Sequence, residues 1–281
     1  MSETIIRVSA LAGWPDCNRR GAARLFRAEI EAAGFRLRQT ARGIGAAIGT
    51  SVHKAAEVTL GEKARAGTLP PATVAFDAAA GELKLQLAQG EIEFDGPRGM
   101  THTAREAEGQ TLAMTALYHR IVAPQIEPVI VEERLEAEID GLVLSGQPDV
   151  VAREPRAVRD LKTGVRRGAS WAPQVGGYSL LARSNGLDID AGRIDYLQRV
   201  ATGKPQPEPV TEEVALEAAE TAAAAILKHI ATSLETFRHG DPVRRIAPGD
   251  PWAFQANPSS NLCSERWCAA WGSEFCHEWK K

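Results

Sequence analysis

The chain has 281 residues, enough for one large domain or two small ones. Its apolar content of 44% and charged content of 25% are those of an ordinary globular protein, and a formal net charge of −3 excludes a globally basic nucleic-acid binder while leaving room for a local basic patch. No apolar run approaches the roughly 18–20 residues of a membrane span. The stretch Met1 to Val8 lacks the basic start and apolar core of a signal peptide, so a cytoplasmic location with reduced cysteines is expected.

Helical patterns fill the first half. Ser9 is placed to cap a helix through Leu11 and Trp14. Arg19 to Ala32 continues helically and ends near Gly34. Gly43 to Arg65 carries Ile44, Ile48, Val52, Ala55 and Ala56 at helical spacing, Pro70-Pro71 breaks the chain, and weaker helical patterns occupy Ala72 to Leu87. Ala104 to Val122 reads as a helix with Leu112, Ala116 and Leu117 in its apolar stripe.

The period then changes to two. Pro128 to Ala137 and Gly141 to Ala152 read as two strands with a turn at Asp140-Gly141, and Ala157 to Thr163 as a third. A helix over Ser170 to Ser184, closed by Asn185-Gly186, and a strand over Arg193 to Val200 follow. Thr211 to Arg238 reads as a long alanine-rich helix with Glu212, Glu213 and Glu217 at the positive end of its dipole. The tail from Pro258 to Lys281 is rich in cysteine and tryptophan. The order predicts an α/β domain spanning 1–281, a mixed central sheet flanked by helices: a helical part over about 9–125, a core over about 126–205, and a long helix with a cysteine-rich cap over about 206–281.

The chemistry concentrates at Gly146-Gln147-Pro148-Asp149 and Asp160-Leu161-Lys162. The first runs into Val150-Val151-Ala152, the second follows Ala157-Val158-Arg159, and Arg153-Glu154-Pro155-Arg156 is the turn between them. Such a hairpin brings Asp149 and Asp160 side by side as oxygen ligands for a hard divalent cation. Asp160 and Lys162 are two apart on a strand and share a face, so an ammonium stands beside a metal-held phosphate. Arg153, Arg156, Arg159, Lys162, Arg166 and Arg167 form either a phosphate-neutralising patch or a solvated hairpin rim.

Three further groups accompany this pair. His53, in Gly49-Thr50-Ser51-Val52-His53, is a metal ligand if its helix packs on the hairpin. Gln174 and Tyr178 are one helical turn apart, and Gly176-Gly177 between them implies tight packing. Cys17, Cys263, Cys268 and Cys276 match the four ligands of an iron–sulfur cluster or of tetrahedral zinc, or are unrelated buried thiols. Trp267, Trp271 and Trp279 either pack around these thiols or stack nucleic-acid bases.

Taken in order, Gly49 to His53, Pro148-Asp149, Asp160-Leu161-Lys162 and Gln174 to Tyr178 resemble the RecB-like branch of the PD-(D/E)XK nuclease superfamily, over roughly 9–281. Within it the cysteines, with Ser9-Ala10-Leu11 and Cys17-Asn18-Arg19-Arg20, resemble the iron–sulfur exonucleases of the CRISPR-adaptation and AddB type. The gaps of four and seven residues between the last three cysteines are wider than that pattern, and no proline follows Cys17. The resemblance implies a restriction-endonuclease-like core with a helical N-terminal insertion. It implies magnesium or manganese on His53, Asp149, Asp160 and the Leu161 carbonyl, with Lys162 activating water and Gln174 and Tyr178 bracing the site or touching DNA. It further implies a 4Fe-4S cluster, with zinc as the alternative, and action on single-stranded DNA or DNA ends beside recombination or CRISPR-adaptation proteins. A non-catalytic DNA-binding subunit with a structural iron–sulfur or zinc site, and a zinc-stapled structural protein, are the competing readings.

Overall fold

The computed structural model describes residues 4–90, 92–97, 99–139, 141–167 and 171–276. In chain order these form β1 (Ile5–Arg7), α1 (Asn18–Leu25), α2 (Arg27–Ala32), β2 (Arg42–Gly43), α3 (Ile44–Ala66), α4 (Ala72–Ala88), β3 (Ile92–Glu93), α5 (Ala104–Leu117), β4 (Pro128–Val131), β5 (Leu135–Ile139), β6 (Leu142–Gly146), β7 (Val150–Ala152), β8 (Ala157–Gly164), α6 (Ala172–Ser184), β9 (Ala191–Gln198), β10 (Val210–Val214) and α7 (Leu216–His239).

The main sheet is mixed, in the order β10-β9-β8-β7-β4. Only β8 and β9 are parallel in it, and α6 makes the crossover that a parallel pair requires. A smaller sheet has the order β1-β6-β5, and β2 pairs with β3. Helices cover the main sheet on both faces. On one, α3 and α5 place Ile44, Ile48, Val52, Leu60 and Met114 against Val150, Leu161 and Leu197. On the other, α6 and α7 place Val175, Leu181, Leu227 and Ile230 against Val151, Val158 and Ile194. Each such side chain contributes roughly 1.5–3 kcal/mol on burial.

The α3 stripe is the one read from spacing. Its end at Gly67, in the left-handed region at φ 73°, is a position that suits glycine. Thr103 and Glu106 close a reciprocal capping box at the start of α5, which ends at Leu117 and runs on through a π turn to Val122.

Several expected elements are corrected. The Ser9–Trp14 helix is a short 3-10 turn over Val8–Ala10 followed by turns up to Asp16, a stretch in which Pro15 disfavours a continuing helix. The Arg19–Ala32 helix is two helices, broken at Phe26 (φ −116°, ψ 31°), whose ring enters the core. Each of the two long strands is really two. Pro128–Ala137 splits into β4 and β5 at Glu132, which has φ 50°, and 141–152 splits into β6 and β7 at Gln147-Pro148. In each case the halves belong to different sheets. Thr211–Arg238 is not all helix: β10 takes Glu212 and Glu213 into an antiparallel ladder with β9, and α7 begins only at Leu216. Asp140, Trp279 and Ser170 fall outside the described residues; α6 is described from Ala172.

The tight packing implied by Gly176-Gly177 has two partners. A Cβ on Gly176 would lie 2.1 Å from the Ala219 carbonyl oxygen of α7, whereas one on Gly177 would lie 2.7 Å from the Leu11 side chain. Backbone cannot yield as a leucine can. Gly176→Ala is therefore expected to destabilise the protein by about 2–3 kcal/mol or more, and Gly177→Ala by clearly less. Thermal denaturation of the two variants checks this, and equal melting temperatures would contradict it.

Candidate active site

The site grows from the strand break. Gly146 ends β6 where a Cβ would lie 2.9 Å from the Tyr178 ring and 2.7 Å from Val8. Pro148 then removes a ladder donor, and the chain crosses to the main sheet. Val150 pairs with Arg159, so Asp149 arrives opposite Asp160, midway along β8.

Asp149 is gripped from two sides. Its Oδ2 accepts the Leu161 backbone N–H at 2.5 Å, and its Oδ1 lies 2.9 Å from His53 Nδ1 on α3. α3 comes this close because Gly49, one turn before His53, has no side chain: a Cβ there would sit 2.8 Å from Thr163 Oγ1. On the other side of β8, Lys162 Nζ lies 2.5 Å from Asp160 Oδ2 and donates to Gln174 Oε1 at 3.1 Å. Gln174 Nε2 donates in turn to Asp160 Oδ1 at 3.0 Å and to Tyr178 Oη at 3.2 Å. His53, Asp149, Asp160, Lys162, Gln174 and Tyr178 thus form one connected cluster. Gly45, Ala46, Gly49, Thr50, His53, Glu132, Asp149, Leu161, Lys162 and Thr163 line the open cleft above it.

Glu132 was not singled out in the sequence. It sits at the bend between β4 and β5, where its N–H donates to the Asp149 carbonyl at 3.3 Å and its own carbonyl accepts from Gln147 Nε2 at 2.7 Å. Ligand atoms of His53, Glu132 and Asp149 all lie within 4.8 Å of one another. This nitrogen-and-oxygen set suits a divalent cation. Asp160 is turned toward Lys162 and Gln174, its Oδ2 against the Lys162 ammonium and its Oδ1 accepting from Gln174 Nε2.

The electrostatics reflect crowded charge. Burial opposes the charged form of His53, but the charge and hydrogen bond of Asp149 outweigh it and raise its pKa to about 9. Burial, then the adjoining Asp149 charge, lifts Glu132 to about 8. Burial lifts Asp160 to about 6 against the pull of Lys162. Asp149 is lowered, because His53, Lys162 and the Leu161 N–H overcome the cost of its burial. Tyr178 is raised, chiefly by burial and then by Asp160.

The basic patch does not assemble. Arg159 is 2% exposed and makes a bidentate pair with Asp195, at 2.9 and 2.6 Å, joined by Thr211 Oγ1 at 2.6 Å. Arg156 pairs with Asp188 and Asp190 near the hairpin turn, at the far end of β8 from Lys162, and Arg153 belongs to the same turn. Arg167 pairs with Glu212 and lies 5.6 Å from the Tyr196 ring centre. Only Arg166 and Arg167 follow β8 on the Lys162 side.

The four cysteines come from both ends of the chain to one cavity, lined by Cys17, Cys263, Cys268, Cys276, Arg19, Arg20 and neighbours. None is in a disulfide. Burial raises the thiol pKa of Cys263 and Cys268. Trp267 is 48% exposed beneath the Arg266 guanidinium, and Trp271 packs against the main core.

The PD-(D/E)XK nuclease superfamily model matches residues 17–273. The structure of a protein designated a candidate exonuclease from Eubacterium rectale is similar over 92% of this chain and 87% of its own, at 12% identity and a TM-score of 0.54, a likeness of fold. A phage-related exonuclease from Haemophilus somnus 129PT is matched over 71% of this chain and 96% of its own, at 14% identity and a TM-score of 0.29. No curated protein matches the sequence.

Because His53 and Glu132 both have folded pKa values above their ordinary 6.5 and 4.5, the folded protein binds more protons than the unfolded chain in the intervening windows. The His53 contribution is complete below 6.5 and lost as pH rises through about 9; the Glu132 contribution falls between 4.5 and about 8. In chelator, the melting temperature should therefore fall from neutral pH toward pH ~9. Glu132→Gln should flatten the part below about 8 and leave the His53 part. Parallel pH profiles for the two proteins would contradict this.

Proposed function

This chain belongs to the PD-(D/E)XK nuclease superfamily and is a phosphodiester hydrolase, and we propose that it degrades DNA from single strands or ends with a divalent cation, magnesium or manganese. The observation that carries this reading is the connected cluster of His53, Asp149, Asp160, Lys162 and Gln174 at the floor of an open cleft. His53, Glu132 and Asp149 would hold the cation, with Asp160 and the Leu161 carbonyl completing its shell. The mutual approach of the first three ligand atoms favours this assignment. When bound, a divalent cation neutralises a non-bridging phosphate oxygen and lowers the pKa of its water.

The residues divide the remaining work. Lys162, on the lining of the cleft, orients the attacking water and offsets charge developing on phosphorus-bound oxygen. Gln174 fixes both Lys162 and Asp160 through its two amide atoms, and Tyr178 fixes Gln174. Gln174 and Tyr178 are thus positioning residues behind the cleft. The exonuclease designation of the structural neighbour from Eubacterium rectale, which covers nearly the whole chain, favours action on ends. Work beside recombination or CRISPR-adaptation proteins fits the same reading.

The cysteine cavity is read as an iron–sulfur site, of the 4Fe-4S type. One zinc ion with thiolates at about 2.3 Å needs sulfurs only about 3.8 Å apart. Among the described residues, no three cysteine sulfurs lie mutually within 4.8 Å. A multi-iron core, with a thiolate at each corner, suits the wider set. Arg19 and Arg20 on the cavity wall supply positive charge beside the thiolates.

Two outcomes test these assignments. Lys162→Ala is expected to lower the rate of end-labelled DNA degradation in magnesium by at least about 10²-fold while DNA affinity stays within a few-fold; full activity would remove Lys162 from the reaction. Anaerobically purified protein is expected to be brown and to carry iron and sulfide, and Cys276→Ser to lose both along with several degrees of melting temperature. Colourless protein with stoichiometric zinc would replace the cluster by a zinc staple.

A further inference from the structure

α3 presents Gly45, Gly49 and His53 along one wall of the cleft, each a helical turn from the next. Gly45 and His53 are eight residues apart, or about 12 Å along the axis. The missing side chain of Gly49 admits Thr163, which closes the sheet against α3. The missing side chain of Gly45 faces a different group: a Cβ there would lie 3.2 Å from Arg199 Nη2 and 3.6 Å from its Cζ.

Arg199 directly follows β9 and is 8% exposed. Its backbone N–H is fixed by the Gly164 carbonyl at 2.8 Å. Among the described residues its side-chain hydrogen bonds run through Nη1, to Thr101 Oγ1 and, at 3.5 Å, to Gln110 Oε1 and Asp95 Oδ2. Asp95 is already the acceptor for the Met100 and Thr101 backbone N–H groups. Among the described residues Nε and Nη2 donate to nothing, yet neither is both sealed from solvent and unpartnered. The guanidinium is thus clamped by one nitrogen, with the donors of the other two free beside the wall glycine. Two N–H directions in a planar fork match two oxygens of a phosphate.

We propose that Arg199, reached past the bare backbone of Gly45, binds a backbone phosphate of the substrate strand about 12 Å from the metal end of the cleft. Gly45 is then required as an opening, since a methyl group there covers Nη2. The subsite fixes the path of the strand beyond the bond that is cut. It contributes affinity without sequence preference, because a phosphate carries no base information. The inference rests on the reading of the substrate as DNA.

The test is the salt dependence of binding, measured with a fluorescent single-stranded oligonucleotide in calcium. Each phosphate contact on a single strand contributes about 0.7 to the slope of log K against log salt. Arg199→Gln is expected to weaken binding by about tenfold and to reduce the slope by about 0.7. Arg199→Gln also disturbs a buried network, so Gly45→Ala is the second variant: it keeps the arginine, favours the helix, and is expected to lose the same slope. In a scan of single neutral methylphosphonate linkages, one position should weaken the wild type and have no effect on either variant. Unchanged slopes in both variants, with wild-type protein that binds and degrades DNA, would overturn the subsite and leave the proposed function standing. Failure of the wild type to bind or degrade DNA would overturn both.

Discussion

The Asp149 carboxylate accepts one hydrogen bond from the Leu161 backbone and faces His53 with its other oxygen, and through these two contacts it joins three separately built parts of the molecule. It stands where the chain leaves the small sheet for the main one, it caps the exposed end of the β7–β8 hairpin, and it draws α3 down onto that end. A chain running straight from β6 into β7 would leave Asp149 within a continuous strand, its side chain committed to one face of one sheet. The break at Gln147-Pro148 frees it to reach both. Gly146 makes the break possible, because the Tyr178 ring and Val8 occupy the space a side chain would need. The residues around the aspartate are thus as constrained as the aspartate itself.

This explains which parts of the site were legible in the sequence. Asp149, Asp160, Lys162, Gln174 and Tyr178 lie on one hairpin and the helix that follows, so local spacing alone brings them near one another. Gln174 and Tyr178 share a helix face by period, and Gly176-Gly177 announced the close approach of α7. His53 is distant, but its helix carries a clear apolar stripe that had to face a sheet. Glu132 was hidden for a different reason. Pro128 to Ala137 alternates like one strand, and in one strand Glu132 and Glu133 are merely two adjacent acids. Only the bend at Glu132, with its positive φ and its backbone bond to Asp149, turns it into the site. Glu212 and Glu213 misled in the opposite sense. They precede an alanine-rich segment as helix N-terminal acids do, yet Thr211 reaches the buried Asp195 and holds the segment in the sheet.

Buried charge separates structural from available cations. Arg159 spends two nitrogens on Asp195, and losing either partner of such a pair costs about 3–5 kcal/mol. Lys63, 6% exposed, donates to the Ala123, Pro124 and Ile126 carbonyls and pairs with Glu127 at 2.8 Å, tying α3 to the segment before β4. Arg19 holds the Phe254 and Pro251 carbonyls and lies 5.1 Å from the Trp252 ring centre. Sequence alone cannot rank these against Arg166 or Arg167, because the acceptors come from remote segments. The basic residues near the catalytic motifs therefore read as a patch, while Arg199, whose hydrogen bonds among the described residues run through Nη1, lay outside it.

The C-terminal cap is held by more than its thiols. Phe254 stacks with Phe26, and Trp14, Phe237 and Phe275 surround it at centroid distances of 5.3–6.2 Å. The Asn257 side chain donates to the Asp16 carbonyl and Ser260 to its carboxylate, so the segment bearing Cys17 is fixed against the tail independently of any metal. The cap also touches the catalytic half. Arg266 lies 3.3 Å from Glu93 of β3, and a Cβ on Gly43 of β2 would stand 3.8 Å from its guanidinium. β2 runs directly into α3, whose next turns carry Gly45, Gly49 and His53. The cap therefore adjoins the start of the helix that forms one wall of the cleft. The cap thus meets α3 at its first turn, nearer to Gly45 than to His53, which Asp149 holds from the sheet side.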